Sequence, residues 1–163
     1  KNKTKIPIYG NRRTIKNLKK SYRFCFEEVQ GYKPIMKANI IDKKFIIKKN
    51  KSSLFINALE VNHGLINANG YVMEKIAYIS DCNYVPSNNL TYLKNLNYLI
   101  LDCLKIENHP SHFNLEGALN LISLTKPKKA ILTNLHVSLD YFKLKKLLPK
   151  NIIPAYDGLS FNF

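Results

Sequence analysis

The sequence predicts an α/β domain in which a mixed sheet is flanked by helices. Three observations carry this reading. Short apolar, β-branched runs come first along the chain, and strand and helix signals alternate from Asn97 onward. The clearest helix, after Asn114, stands between two strand-like runs.

Taken in order, Thr14 to Tyr22 can form a short basic helix with Ile15 and Leu18 on one side, and Gly31-Tyr32-Lys33-Pro34 reads as a turn. Phe45-Ile46-Ile47 and Ser53 to Val61 have strand composition. Gly70 to Met73 and Ile76 to Ile79 are two further strands meeting at the polar Glu74-Lys75 turn, and Asn97 to Leu101 suits a buried strand. Asn114 caps the main helix and Glu116 lies near its free amide ends. Leu115, Ala118, Leu119 and Ile122 form its buried face, and it stops at Lys126-Pro127. Ala130 to Thr133 is then a strand, and Leu139 to Leu148 a helix ended by Pro149. Ala155-Tyr156-Asp157-Gly158-Leu159 reads as a turn into a last edge strand.

The 163 residues carry no internal repeat and no linker, so residues 1–163 are expected to form a single domain. No apolar run has transmembrane length and no signal-peptide pattern is present. Cys25, Cys82 and Cys103 are odd in number and widely spaced, unlike a disulfide framework or a thiolate zinc site, so a cytoplasmic setting is expected. The formal charge of +15 raises nucleic acid as a partner. That partner is not favoured, because the excess is mostly lysine and is scattered. The runs Lys1–Lys20 and Lys43–Lys51 read as solvated surface. The chain begins at Lys1 without a methionine and reads as part of a longer protein.

Four stretches share one peculiarity: an apolar run delivers a His or Asp into a loop. They are Val61-Asn62-His63-Gly64, Tyr78-Ile79-Ser80-Asp81-Cys82, His109-Pro110-Ser111-His112-Phe113 and Ile131-Leu132-Thr133-Asn134-Leu135-His136. A rigid sheet positions such groups while the loop keeps them accessible. Histidine with carboxylate suits zinc, manganese or iron. Spacing alone leaves two readings open: a metal centre, or hydrogen-bonded loop histidines with a capping aspartate.

The order of these stretches resembles the metallo-β-lactamase-fold hydrolases, in the branch of the phosphoribosyl cyclic phosphate phosphodiesterase and tRNase Z. The resemblance runs from Ile6-Pro7-Ile8-Tyr9 to Ala155-Tyr156-Asp157-Gly158-Leu159. It implies the C-terminal portion of an αββα sandwich and a site for two divalent ions, zinc or manganese. By position, His63, Asp81 and His136 resemble metal ligands, Asp81 bridging the two ions. His112 resembles the histidine that contacts phosphate or protonates the leaving oxygen, so Asp81 and His112 are the catalytic candidates. Asp102 either orients a ligand histidine or caps a loop, and His109, before a proline, is expected to be structural.

Two departures qualify the resemblance. Many relatives carry a histidine directly after the threonine, where this chain has Asn134, so His136 is expected to reach the metal instead. The family's main motif, His-x-His-x-Asp-His, occurs nowhere in the chain. The chain alone is therefore expected to bind one ion or none and to be inactive. Its exposed sheet face is expected to be covered by an N-terminal half or by a second copy. The implied substrate is a small phosphodiester. The alternatives are an RNA-processing hydrolase of the same fold and a non-catalytic basic nucleic-acid-binding module.

Overall fold

The computed structural model describes residues 4–162, which fall into two units, one ending at Phe45 and the other beginning at Ile46. In the first, β1 (Ile6–Gly10) and β2 (Met36–Ile40) pair in parallel, from Ile6 opposite Met36 to Gly10 opposite Ile40. Between them lie α1 (Arg12–Ser21) and α2 (Arg23–Phe26). The Asn11 side chain caps α1 by accepting the Thr14 N–H at 2.8 Å, and Ile15 is its buried residue. The turn lies at Gln30 and Gly31, both at positive φ, between the bridged residues Val29 and Tyr32, earlier than the Gly31-Tyr32-Lys33-Pro34 turn expected. This small parallel pair was not expected from the sequence. Pro7 reads against a strand, and parallel pairing is a long-range choice that local pattern does not encode.

The second unit holds most of a seven-stranded sheet in sequential order. Its strands are β3 (Lys44–Lys49), β4 (Ser52–His63), β5 (Ile66–Met73), β6 (Ile76–Ile79), β7 (Tyr98–Asp102), β8 (Lys129–Thr133) and β9 (Ile152–Pro154). β4, β5 and β6 form an antiparallel meander, after which β6 to β9 run parallel. The crossover from β7 to β8 is α3 (Leu115–Thr125), and that from β8 to β9 is α4 (Tyr141–Leu147). The expected mixed sheet with flanking helices is what the chain forms.

Register explains the core. Ala77, Leu99, Ala130 and Ile152 are cross-strand partners in one row, and Ile79, Leu101, Leu132 and Pro154 in the next, all buried. Strands β4 and β5 complete this face with Leu59 and Val61 from the first and Val72 from the second. Gly70 leaves room where a Cβ would come within 2.9 Å of Ile79. Ala118, Leu121 and Ile122 of α3 and Leu144 of α4 belong to the same cluster. The Asn114 cap accepts the Gly117 N–H at 2.9 Å, and Lys126 ends α3 at φ 51, ψ 53. On the other face, Tyr78, Ile100 and Ile131 form the corresponding row, with Tyr78 exposed.

The chain's closing stretch differs from expectation. The edge strand β9 precedes the Asp157-Gly158 turn, and among the described residues no strand follows it. Instead Phe161 stacks on Tyr98 with centroids 4.3 Å apart, and the Tyr98 hydroxyl donates to the Asn162 carbonyl at 3.3 Å. Two long-range contacts thus hold a segment whose composition suggested a ladder.

The two ends of the parallel strands are built differently. At the amino ends, the Lys75 carbonyl accepts N–H groups from Asn97 and Tyr98, and the Lys128 and Lys129 N–H groups donate to Leu96 and Asn97. Backbone hydrogen bonds tie this edge together. The carboxyl ends carry side chains with acid–base and ligand chemistry.

Leu101 has no exposed surface and sits mid-row. Leu101→Ala should lower unfolding free energy by about 2–5 kcal/mol in a urea titration, the usual cost of a core Leu→Ala cavity.

Candidate metal centre

β4 and β6 are both antiparallel to β5 and therefore run the same way, as do β7 and β8. Their carboxyl ends meet at one edge, the position where α/β sheets gather ligands. His63 ends β4, Asp81 follows β6, Asp102 ends β7 and Asn134 follows β8. The loop from β7 to α3 brings His109 and His112 to the same edge.

Backbone bonds lock these loops together. The Cys82 N–H donates to Asp102 Oδ2 at 3.0 Å, the Phe113 N–H to the Cys82 carbonyl at 2.7 Å, and the Leu104 N–H to the Phe113 carbonyl. Asn83 forms a second clamp: its Oδ1 accepts the Gly64 N–H and its Nδ2 donates to the Pro110 carbonyl, each at 3.1 Å. Sequence reading missed Asn83, because a loop asparagine bonding two backbone segments far along the chain leaves no local pattern. Gly64 has φ 63, and a Cβ there would stand 3.0 Å from the Ser111 Cβ.

The hydrogen-bond partner assigns the His63 tautomer. His63 Nδ1 lies 2.8 Å from the Ser111 carbonyl, which can only accept, so Nδ1 carries the proton and Nε2 is bare. His112 Nδ1 lies 2.7 Å from Asp102 Oδ2, an oxygen already taking the Cys82 N–H. That contact orients the ring and turns its Nε2 away from Asp102. The two rings meet edge to face, with centroids 4.6 Å apart. Asp102 is fully buried, and burial pushes its carboxyl above the ordinary range against the pull of its donors Cys82, His112 and Asn134.

One donor atom each from His63, Asp81 and His112 lies within 4.8 Å of the others. Two imidazoles oriented through Nδ1 and one exposed carboxylate form a donor set that suits a divalent transition ion and leaves an open side. The residues present therefore fit such an ion, each of the three offering a donor atom.

Of the expected ligands, His136 stands outside this group. It is exposed, and its Nδ1 accepts the Ser138 N–H at 3.2 Å and lies 2.9 Å from Ser138 Oγ. A local turn engages that nitrogen. His112, expected beside the metal as a proton donor, stands within this group of three. His109 serves its own loop, its Nδ1 accepting the Ser111 N–H at 3.4 Å. Desolvation, with His112 and Lys105 nearby, holds its imidazole below the ordinary value. Asn134 joins the centre through Asp102 and Ser80.

The matched family model settles the fold's kinship, since that of the β-lactamase superfamily domain covers residues 1–134. The chain belongs to this superfamily. A diphosphatase of the PhnP family has a similar structure, with TM-score 0.84 at 24% identity, over 96% of this chain and 57% of that one. Zn2+-bound PqqB from Methylobacterium extorquens gives 0.78 at 13%, over 98% and 66%. The short form of human tRNase Z gives 0.65 at 14%, over 96% and 66%. An octanoyltransferase from Porphyromonas gingivalis is 22% identical over 157 residues, 94% of this chain and 32% of that protein. The chain thus spans about a third of that relative's length.

The cysteines beside this centre are buried. Burial pushes the Cys82 and Cys103 thiols up to about 12, the nearby Asp102 carboxylate adding to it. Both should resist a disulfide exchange reagent at neutral pH in the folded chain and react at once in denaturant, read by thiol absorbance. Gly64→Ala should lower unfolding free energy by about 1–2 kcal/mol, the cost of a left-handed residue bearing a Cβ, measured by denaturant titration.

Proposed function

We propose that this chain supplies part of the active centre of a metal-dependent phosphoester hydrolase, with a small phosphodiester as substrate. The observation that supports it best is the convergence of His63, Asp81 and His112, with both imidazoles oriented through Nδ1. In this reading His63 and Asp81 hold a divalent ion of the zinc or manganese type. Such an ion supplies Lewis-acid charge for water activation and for the phosphoryl oxygens.

The chain's own residues then divide the work. His63 is kept from rotating by Ser111, so its Nε2 keeps one bearing. His112 holds or releases a proton at Nε2, opposite the nitrogen fixed by Asp102. A proton delivered there to the departing oxygen avoids expelling an alkoxide. Asp102 stabilises the imidazolium through a 2.7 Å contact that water does not reach, Asp102 having no exposed surface. An acyl-transfer reading, which the octanoyltransferase's name would suggest, finds no activated thiol in Cys82 or Cys103.

The sequence contains no His-x-His-x-Asp-His, so further ligands would have to come from other polypeptide, an N-terminal half or a second copy. The test uses the full gene product with added Mn2+ or Zn2+, on a five-membered cyclic phosphate diester and on a tRNA precursor. Hydrolysis of the small diester is expected, with loss on chelation and at least a 100-fold lower kcat/KM for His112→Ala, the usual scale of general acid–base catalysis. Cleavage of the precursor alone would move the assignment to RNA processing, where the +15 charge would serve as substrate footprint. Binding of nucleic acid without hydrolysis of either would overturn the enzyme reading.

A further inference from the structure

Residues 82–84 bond the chain on either side of both His63 and His112. Asn62, before His63, donates its N–H to the Tyr84 carbonyl and accepts the Asn83 N–H, both at 2.9 Å. Gly64, after His63, donates its N–H to Asn83 Oδ1 at 3.1 Å. In the other direction, Asn83 Nδ2 donates to the Pro110 carbonyl at 3.1 Å, and the Phe113 N–H donates to the Cys82 carbonyl at 2.7 Å. Pro110 and Phe113 bracket Ser111 and His112 as Asn62 and Gly64 bracket His63.

Of these five bonds, the backbone of residues 82–84 supplies three and the Asn83 carboxamide the other two. The amide has one possible orientation, because the Gly64 N–H can only donate and the Pro110 carbonyl can only accept. A single rigid plane must offer an acceptor to one and a donor to the other. An aspartate of the same length would set an oxygen against the Pro110 carbonyl. The brace also completes a second tie between the same loops. His63 Nδ1 lies 2.8 Å from the Ser111 carbonyl, so neighbouring carbonyls of one loop are held by the ring and by the amide. One bond alone would leave the loops free to pivot; two fix their angle.

We propose that Asn83 is a positioning residue, whose carboxamide sets the edge-to-face contact of the His63 and His112 rings and with it the spacing of the donor group. Asp81 stands two residues before Asn83, so the third donor is carried by the same loop. The use of that spacing in holding an ion rests on the function proposed above, but the ring contact can be read with neither ion nor substrate.

The experiment compares the full gene product with its Asn83→Ala, Asn83→Asp and Asn89→Ala variants. Asn89 is the control: its Nδ2 donates to the carbonyl of Glu60, also on β4, at 2.8 Å, and touches no residue of the donor group. In metal-free protein, the nuclear Overhauser contact between the carbon-bound ring protons of His63 and His112 should be strong. It should be lost in both Asn83 variants and persist in Asn89→Ala. Co2+ affinity, read by its visible absorption, should fall about 10- to 100-fold in Asn83→Ala, the usual cost of losing a group that orients metal ligands, and stay unchanged in Asn89→Ala. Asn83→Asp is read by ring contact alone, since its charge would itself attract an ion, and it serves as the test should the alanine variant fail to fold. A ring contact kept in either folded Asn83 variant, an unchanged Co2+ affinity in Asn83→Ala, or an equal loss in Asn89→Ala overturns the proposal. Failure of the unaltered protein to bind Co2+ or to hydrolyse a diester removes the hydrolase reading instead, and the ring contact then decides the role of Asn83 alone.

Discussion

A carboxylate placed beyond the reach of water sets the terms for this end of the molecule. Moving an ionised group out of solvent is costly unless every oxygen finds donors. Asp102 finds them in the Cys82 N–H, the His112 ring and the Asn134 amide, which lie on three different loops. None can move independently without leaving charge unpaired. The same group fixes the Asp81 loop through the next residue's backbone and the His112 loop through its ring. Geometry that serves chemistry here follows from the need to satisfy one buried anion.

Much of the sheet was legible in the sequence because alternation and apolar runs are local signals. β6 was bounded as expected, and the Glu74-Lys75 turn lies where the polar pair interrupts two β-branched runs, with Glu74 at φ 52. The Asn114 cap and the Lys126-Pro127 stop bracket α3. β1, β2 and β9 were not legible. Each is short, parallel to its partner and stabilised by residues distant along the chain, and nothing within Ile152–Pro154 advertises pairing.

The site divides along the same line. His63, Asp81 and His112 stood out as polar residues ending apolar runs, and these are what the fold gathers. His136 stood out equally and lies outside that group, its Nδ1 bonding Ser138 two residues on. Spacing cannot distinguish a histidine aimed along the sheet edge from one folded back on its own loop. Nor can it show that Asn134 bonds Asp102, since the two are brought together by the pairing of β7 with β8.

The closed amino-end edge of the parallel strands has a practical meaning for anyone modifying this protein. The Glu74-Lys75 turn and the Leu96–Asn97 and Lys128–Lys129 connections lie a full strand length from His63, Asp102 and Asn134. Linkers, labels or immobilising chemistry introduced at the exposed Glu74 would leave the reactive edge facing away from the support. Diversity introduced into the loops at the carboxyl ends would, by contrast, alter chemistry without touching the rows that hold the sheet together.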